Sequence, residues 1–197
     1  MPLNMPPYDL QQMGAALQSF ISLQDPRAQV LLTAAPQLRF RQQLYSLGLQ
    51  DMVAMPENGA VAAARNSAKP GGWRYLSTVH GFSAAASVVE SAAGLPLRIT
   101  GLSSGLAISQ AVDAILKIQQ LTGIQALTYG LVTLRIPGVR TEAYWLKSVT
   151  GLDDRIVPFL SLNRELRIGQ SYTVQEFLQA VRQAAQTDLK FYQSDLA

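Results

Sequence analysis

The chain has 197 residues, of which 48% are hydrophobic and only 15% charged, with a formal net charge of +3. That length supports a core without metals or disulfides, and the absence of cysteine excludes disulfides, thiolate chemistry and cysteine-ligated zinc or iron–sulfur sites. The basic excess is small and unclustered: Asn58 to Val89, the longest acid-free stretch, holds just Arg65, Lys69 and Arg74, which argues against nucleic acid as the partner.

The N-terminal MPLNMPPYDLQQMG has neither a basic leader nor a long apolar run, so a signal peptide is not expected in the chain as it stands. Missing cysteine fits a reducing cytosol first and an exported protein that has lost its signal peptide second. No membrane span is expected, because the least charged stretch, Ile118 to Leu134, is interrupted by Gln119, Gln120, Thr122, Gln125 and Thr128.

From Tyr8 to Leu23, Leu10, Met13, Leu17, Phe20 and Ile21 recur at spacings of three and four, which predicts an amphipathic helix. Asp25-Pro26 then predicts a new helix, with Asp25 as N-cap and proline at its first position, broken at Pro36. Leu38, Leu44, Tyr45 and Leu47 set against Arg39, Arg41, Gln42 and Gln43 predict a third helix over Gln37–Leu47, stopped by Gly48. Asn58–Gly72, opening on Asn-Gly and closing on Lys-Pro-Gly-Gly, reads as a loop or linker.

Trp73–Val79 alternates like a strand. The alanines of Phe82–Ala93 favour helix over strand there. Leu97–Thr100 is a short strand candidate and Ser103–Leu121 a helix, its buried face formed by Leu106, Ala107, Ala111, Ala114, Ile115, Ile118 and Leu121. Gln125–Ile136 and Val139–Ser148 form a predicted hairpin about Pro137-Gly138, in a register that pairs Ile136 with Val139, Gly130 with Trp145, and Arg135 with Arg140. Ile156–Leu162 is a strand that Pro158 relegates to an edge or bulge, and Thr173 with Glu176 forms a capping box for a C-terminal helix.

One stretch carries a catalytic signature. Gly101-Leu102-Ser103-Ser104-Gly105 is G-x-S-x-G between a strand and a helix, the setting of a nucleophile elbow. The serine would need a base, and the chain's one histidine, His80, lies upstream, the reverse of the hydrolase order. No lysine follows a serine at S-x-x-K spacing. The favoured reading makes this a tight connection in which Ser103 or Ser104 caps the helix; a hydrolase using Ser103 with His80, or an anion site at the helix start, is the alternative.

Asp153-Asp154-Arg155 lacks the alternating acidic pattern of a calcium loop and reads as a solvated turn with a local ion pair. Arg135 opposite Arg140 would repel, with Glu142 as the nearest relief. Basic residues interleaved with Trp73 and Tyr75 offer a second alternative, an anionic-ligand or nucleic-acid surface through Arg65, Lys69, Arg74, Arg135 and Arg140.

The fold expected is α+β: a helical first third (1–57), a linker (58–72) and a body (73–197), forming one compact domain with helices packed on a mostly antiparallel sheet. The function expected is a non-enzymatic protein-interaction or accessory domain, self-association included. No metal and no cofactor is called for. Its candidate contact surfaces are the hairpin tip and Phe191-Tyr192.

Overall fold

A computed structural model of the chain describes residues 3–4, 9–56, 59–89, 97–120 and 129–194. The fold is α+β, with a mostly antiparallel set of strands and packed helices. It forms two compact units, each assembled from separated segments: a first unit of Met1–Asn4, Tyr45–Pro70 and Lys117–Ala197, and a second of Met5–Leu44 and Gly71–Leu116.

In the second unit, helix α1 (Leu10–Phe20) starts at Asp9, whose carboxylate accepts from the Gln12 amide at 3.0 Å. Helix α2 (Pro26–Thr33) starts as expected at Asp25, which accepts from Arg27 N at 2.8 Å. Strand β2 (Arg39–Ser46) replaces the helix predicted over Gln37–Leu47. Phe40, Gln42 and Leu44 are all buried, a period of two that only a strand satisfies. Gly48, expected to end that helix, is the N-cap of α3 instead.

Strand β3 (Lys69–Val79) turns through His80-Gly81 into β4 (Phe82–Val89), which replaces the expected helix at that position; the rest of Phe82–Ala93 lies outside the described residues. Both turn residues have positive φ, +48° at His80 and +79° at Gly81, as a two-residue hairpin with matching twist requires. Strand β5 (Arg98–Ser104) completes the order β5-β4-β3-β2 and, among the described residues of this unit, has only β4 beside it. Ala84, Ala86 and Val88 of β4 pack under Met13, Leu17, Ala28, Val30 and Leu31 of α1 and α2. Alanine overrides its helical preference here because a central strand of small side chains lets α2 lie close to the sheet.

The first unit holds α3 (Leu49–Ala54), α4 (Ala60–Ser67) and α6 (Val174–Ser194), with α5 (Leu106–Ile118) falling mostly in the second unit. The expected 58–72 linker therefore carries a helix and the start of β3. Strands β6 (Tyr129–Ile136), β7 (Thr141–Ser148), β8 (Arg155–Ser161) and β9 (Tyr172–Thr173) follow one another antiparallel, and β1 (Leu3–Asn4) runs parallel to β6.

The hairpin is present, but Pro137–Val139 form a 3-10 turn and Arg140 adopts φ +46°, so four residues connect the strands. The register shifts accordingly: Ile136 pairs with Thr141, Val132 with Trp145 and Gly130 with Lys147. Arg135 thus faces Glu142, not Arg140, and forms a 3.0 Å ion pair with it. Pro158 flanks a bulge, as expected, since Glu142 pairs with Leu160 and Ala143 with Pro158.

One side of these strands, bearing Leu134, Ile136, Ala143, Trp145 and Ile156, is covered by α3, α4 and α6 through Met52, Ala64, Phe177 and Val181. The capping box of α6 is formed, with Glu176 N donating to Thr173 Oγ1 at 3.2 Å and Thr173 N to Glu176 Oε2 at 2.8 Å. Among the described residues, no helix is long and apolar enough to cross a membrane.

Candidate interaction site

The G-x-S-x-G stretch is not an elbow. Ser103 lies within β5, exposed and paired with Ala85, which in turn pairs with Leu76 on β3. His80 sits in the β3–β4 turn, past three further strand residues or roughly 10 Å along the strands, so the structure does not bring the two together. Neither Ser103 nor Ser104 occupies the cap of α5; that position belongs to Gly105, whose carbonyl accepts from Ile108 N and Ser109 N, both at 3.0 Å. Leu106, assigned to the buried face of that helix, is 75% exposed.

The five basic candidates have separate fates. Arg65 is committed to Asp154, Arg135 is paired with Glu142, and Arg74 is buried. Lys69 and Arg140 are exposed. The aromatics expected to stack on bases are turned to their own chain: Tyr75 is buried, and Trp73 lies under the Arg41 guanidinium, 4.0 Å from its ring centre. The side chains of Phe191 and Tyr192 lie outside what the structure describes.

The most organised polar cluster surrounds Asp154, which the sequence presents as a solvated turn residue and the structure buries completely. Its Oδ1 accepts from Arg65 Nη2 at 2.6 Å and from Ser148 N at 2.8 Å; its Oδ2 accepts from Arg65 Nε and Trp145 Nε1, each at 2.9 Å. Four donors saturate the carboxylate. Burial alone would raise its pKa, but these bonds prevail and hold the carboxyl below its ordinary value. The expected local ion pair does exist one residue away, between Arg155 and Asp153 at 3.0 Å.

Asp154 anchors the β7–β8 loop. Arg65 Nη2 also donates to Ser148 O at 2.8 Å, and Gly151 N donates to the same carbonyl at 3.2 Å. Asp153 N donates to Ser148 Oγ at 3.3 Å and Leu152 N to Thr150 Oγ1 at 3.4 Å. Gly151, at φ +74°, permits the tight turn. The amides of Gly151, Leu152 and Asp153 are therefore all satisfied inside the loop, while Val149 and Leu152 at its tip are 78% and 86% exposed.

No family model matches this chain, and neither a curated protein nor a solved structure matches it.

Beside the loop, the Lys147 ammonium lies 3.8 Å from the centre of the Tyr45 ring and 4.3 Å from that of Trp145. Tyr129 donates its hydroxyl to Asp153 Oδ2 at 3.3 Å, and burial followed by the Asp153 charge raises its pKa. A separate cleft of about 200 Å³ is lined by Pro56, Ala60, Gln175, Leu178, Gln179 and Arg182; none of the candidate site residues read from the sequence lines it. Among the described residues, no cluster of three or more His, Asp or Glu side chains could hold a metal.

Sequence reasoning passed over Val149 and Leu152. The available signal was slight: two aliphatic residues flanking Thr-Gly in a predicted turn.

Proposed function

We propose that this chain is a protein-interaction domain that docks the Val149–Leu152 tip into an apolar recess on a protein partner. The observation that carries the reading is the pairing of two almost fully exposed aliphatic side chains with a loop backbone already locked by its own hydrogen bonds. Burying each such side chain is worth about 1.5–3 kcal/mol, and a preformed loop loses little conformational entropy on docking.

A lipid surface fits less well. Two aliphatic side chains fall short of a stable membrane anchor, and the nearby cations Arg65 and Arg155 are neutralised by Asp154 and Asp153.

A photo-crosslinking residue at position 152 tests the reading, with the same residue at exposed Ser104 as control. The expected result is one discrete adduct from position 152, either with a second copy in the purified protein or with one polypeptide in an extract of the producing cells. Equal, unspecific labelling from both positions would overturn the reading.

A further inference from the structure

The first unit carries a second accessible surface, at the end of β7 and β8 opposite the Val149–Leu152 tip and about 20 Å from it along the strands. Thr141 pairs with Ser161, and their hydroxyls lie 2.9 Å apart. Arg140 and Leu162, the next residues outward, are therefore neighbours, and both are exposed. The chain after Leu162 doubles back beside β8, because Gly169 N donates to Pro158 O at 2.7 Å. Arg164, Arg167 and Ile168, carried on this returning segment, are exposed as well.

The segment is held in one shape. Leu166 is buried as its anchor, and Asn163 Nδ2 donates to Ala180 O on α6 at 2.7 Å. Glu165 N donates to Asn163 Oδ1 at 3.0 Å, and Arg167 N to the Tyr172 hydroxyl at 2.9 Å. The arginine side chains, by contrast, are uncommitted. Arg27, Arg65, Arg135 and Arg155 each stand within 3.0 Å of a carboxylate, whereas among the described residues the guanidinium groups of Arg140, Arg164 and Arg167 make no hydrogen bond, ion pair or ring contact. Arg140 also has φ +46°, a left-handed conformation that favours glycine or asparagine, and the fold gains no contact from its guanidinium in return. Backbone cost without a structural return marks a residue held for something outside the chain.

We propose that this end of the first unit binds an acidic segment of a different protein, with Arg140, Arg164 and Arg167 taking its carboxylates and Leu162 and Ile168 an aliphatic side chain between them. Planar guanidinium groups pair with carboxylates two bonds at a time, and exposed Leu162 and Ile168, at 65% and 47%, add apolar contact beside them. The surface offers aliphatic side chains where bases would need aromatic ones, and Glu165 between the arginines repels a phosphate backbone. Two aliphatic side chains fall short of a membrane anchor. A second copy fits poorly, since the one adjacent pair of acids in the sequence is Asp153-Asp154, of which the first is paired with Arg155 and the second is buried.

The probe is a fluorescein-labelled peptide of about twelve residues that alternates acidic pairs with leucine, titrated with the intact chain and read by polarisation. Its controls are the same peptide with glutamine and asparagine in place of the acids, a labelled single-stranded oligonucleotide, and phosphatidylserine vesicles read by co-sedimentation. The acidic peptide is expected to bind at least about ten-fold tighter than the amide peptide. Its affinity should fall about ten-fold in the triple variant Arg140→Gln, Arg164→Gln, Arg167→Gln and about five-fold in Leu162→Ser with Ile168→Ser, both checked for native circular dichroism. Equal binding of the two peptides, tighter binding of the oligonucleotide or the vesicles, or wild-type affinity in either variant would overturn the proposal. Leu152→Ser should leave the titration unchanged; a comparable loss there would place the peptide at the Val149–Leu152 tip and would also overturn it.

Discussion

Replacing Asp154 by alanine removes a carboxylate that ties α4, β7 and the β7–β8 loop together. In wild type the carboxylate accepts four hydrogen bonds, from Arg65 Nε and Nη2, Trp145 Nε1 and Ser148 N. After the change, Arg65 can turn to solvent, since its side chain is already 31% exposed. The Trp145 indole and the Ser148 amide cannot, because both residues are buried. Two orphaned buried donors at about 1–3 kcal/mol each bracket the loss, and breaking a buried pair gives about 3–5 kcal/mol. For a protein of ordinary stability, about 5–15 kcal/mol, that is roughly a fifth or more of the total and corresponds to a fall in Tm of about 10 °C.

Urea unfolding in a Trp73→Phe background isolates the first unit, because Trp145 is then the sole tryptophan. A loss below about 1 kcal/mol would refute the assignment of Asp154 as the anchor. The pH dependence supplies a second check. Because the folded carboxyl is held below its ordinary value, its contribution is complete above the unfolded pKa and disappears as pH falls through the folded one. The stability gap between wild type and Asp154→Asn should therefore be constant at neutral pH and close below about pH 4.

Other expectations concern separate elements. Gly72 has φ +100°, and a Cβ there would stand 2.6 Å from the Val88 carbonyl oxygen, so Gly72→Ala should destabilise the second unit by more than about 1 kcal/mol in urea; a neutral result would count against the β3–β4 register. Asp25, bonded to the Arg27 side chain and backbone, should titrate at about 2 by carboxyl NMR, so that its capping of α2 is lost only as pH falls through that value, whereas a midpoint near 4 would mean the cap is not formed in solution. Thr173→Ala should lower stability by about 1 kcal/mol through loss of the α6 capping box, and unchanged unfolding would show that the box contributes nothing.

Local signals explain what could be read from the sequence. Asp25-Pro26, the Thr173–Glu176 box and Pro158 each act within a few residues, and each is found where its chemistry puts it. Phe40 and Leu44 misled because a spacing of four suits one helical turn and two strand repeats equally; burial of Gln42 between them settles it, and no composition reveals that. The β4 alanines misled because their neighbours, β3 and β5, supply the pairing that propensity does not count. The hairpin register moved because Pro137-Gly138 begins a four-residue connection where two residues would have sufficed. The site was the least legible part: Asp154 looks solvated until Arg65, 89 residues earlier in the chain, is placed beside it.

The interleaving of the two units has a consequence for synthesis. All of the second unit has been joined once Leu116 is added, whereas the core of the first needs Phe177 and Val181 near the far end. A growing chain can therefore complete one unit while Leu47, Met52 and Met55, already made, still lack the helix that covers them. Chains arrested on the ribosome with Ile156 just outside the tunnel should accordingly be cut by protease within Tyr45–Pro70 while Met5–Leu44 resists, and uniform sensitivity would show that neither unit forms before release. The segment between β2 and β3 thus waits for more than a hundred residues of further synthesis, roughly from Met52 to Phe177, between being made and being buried.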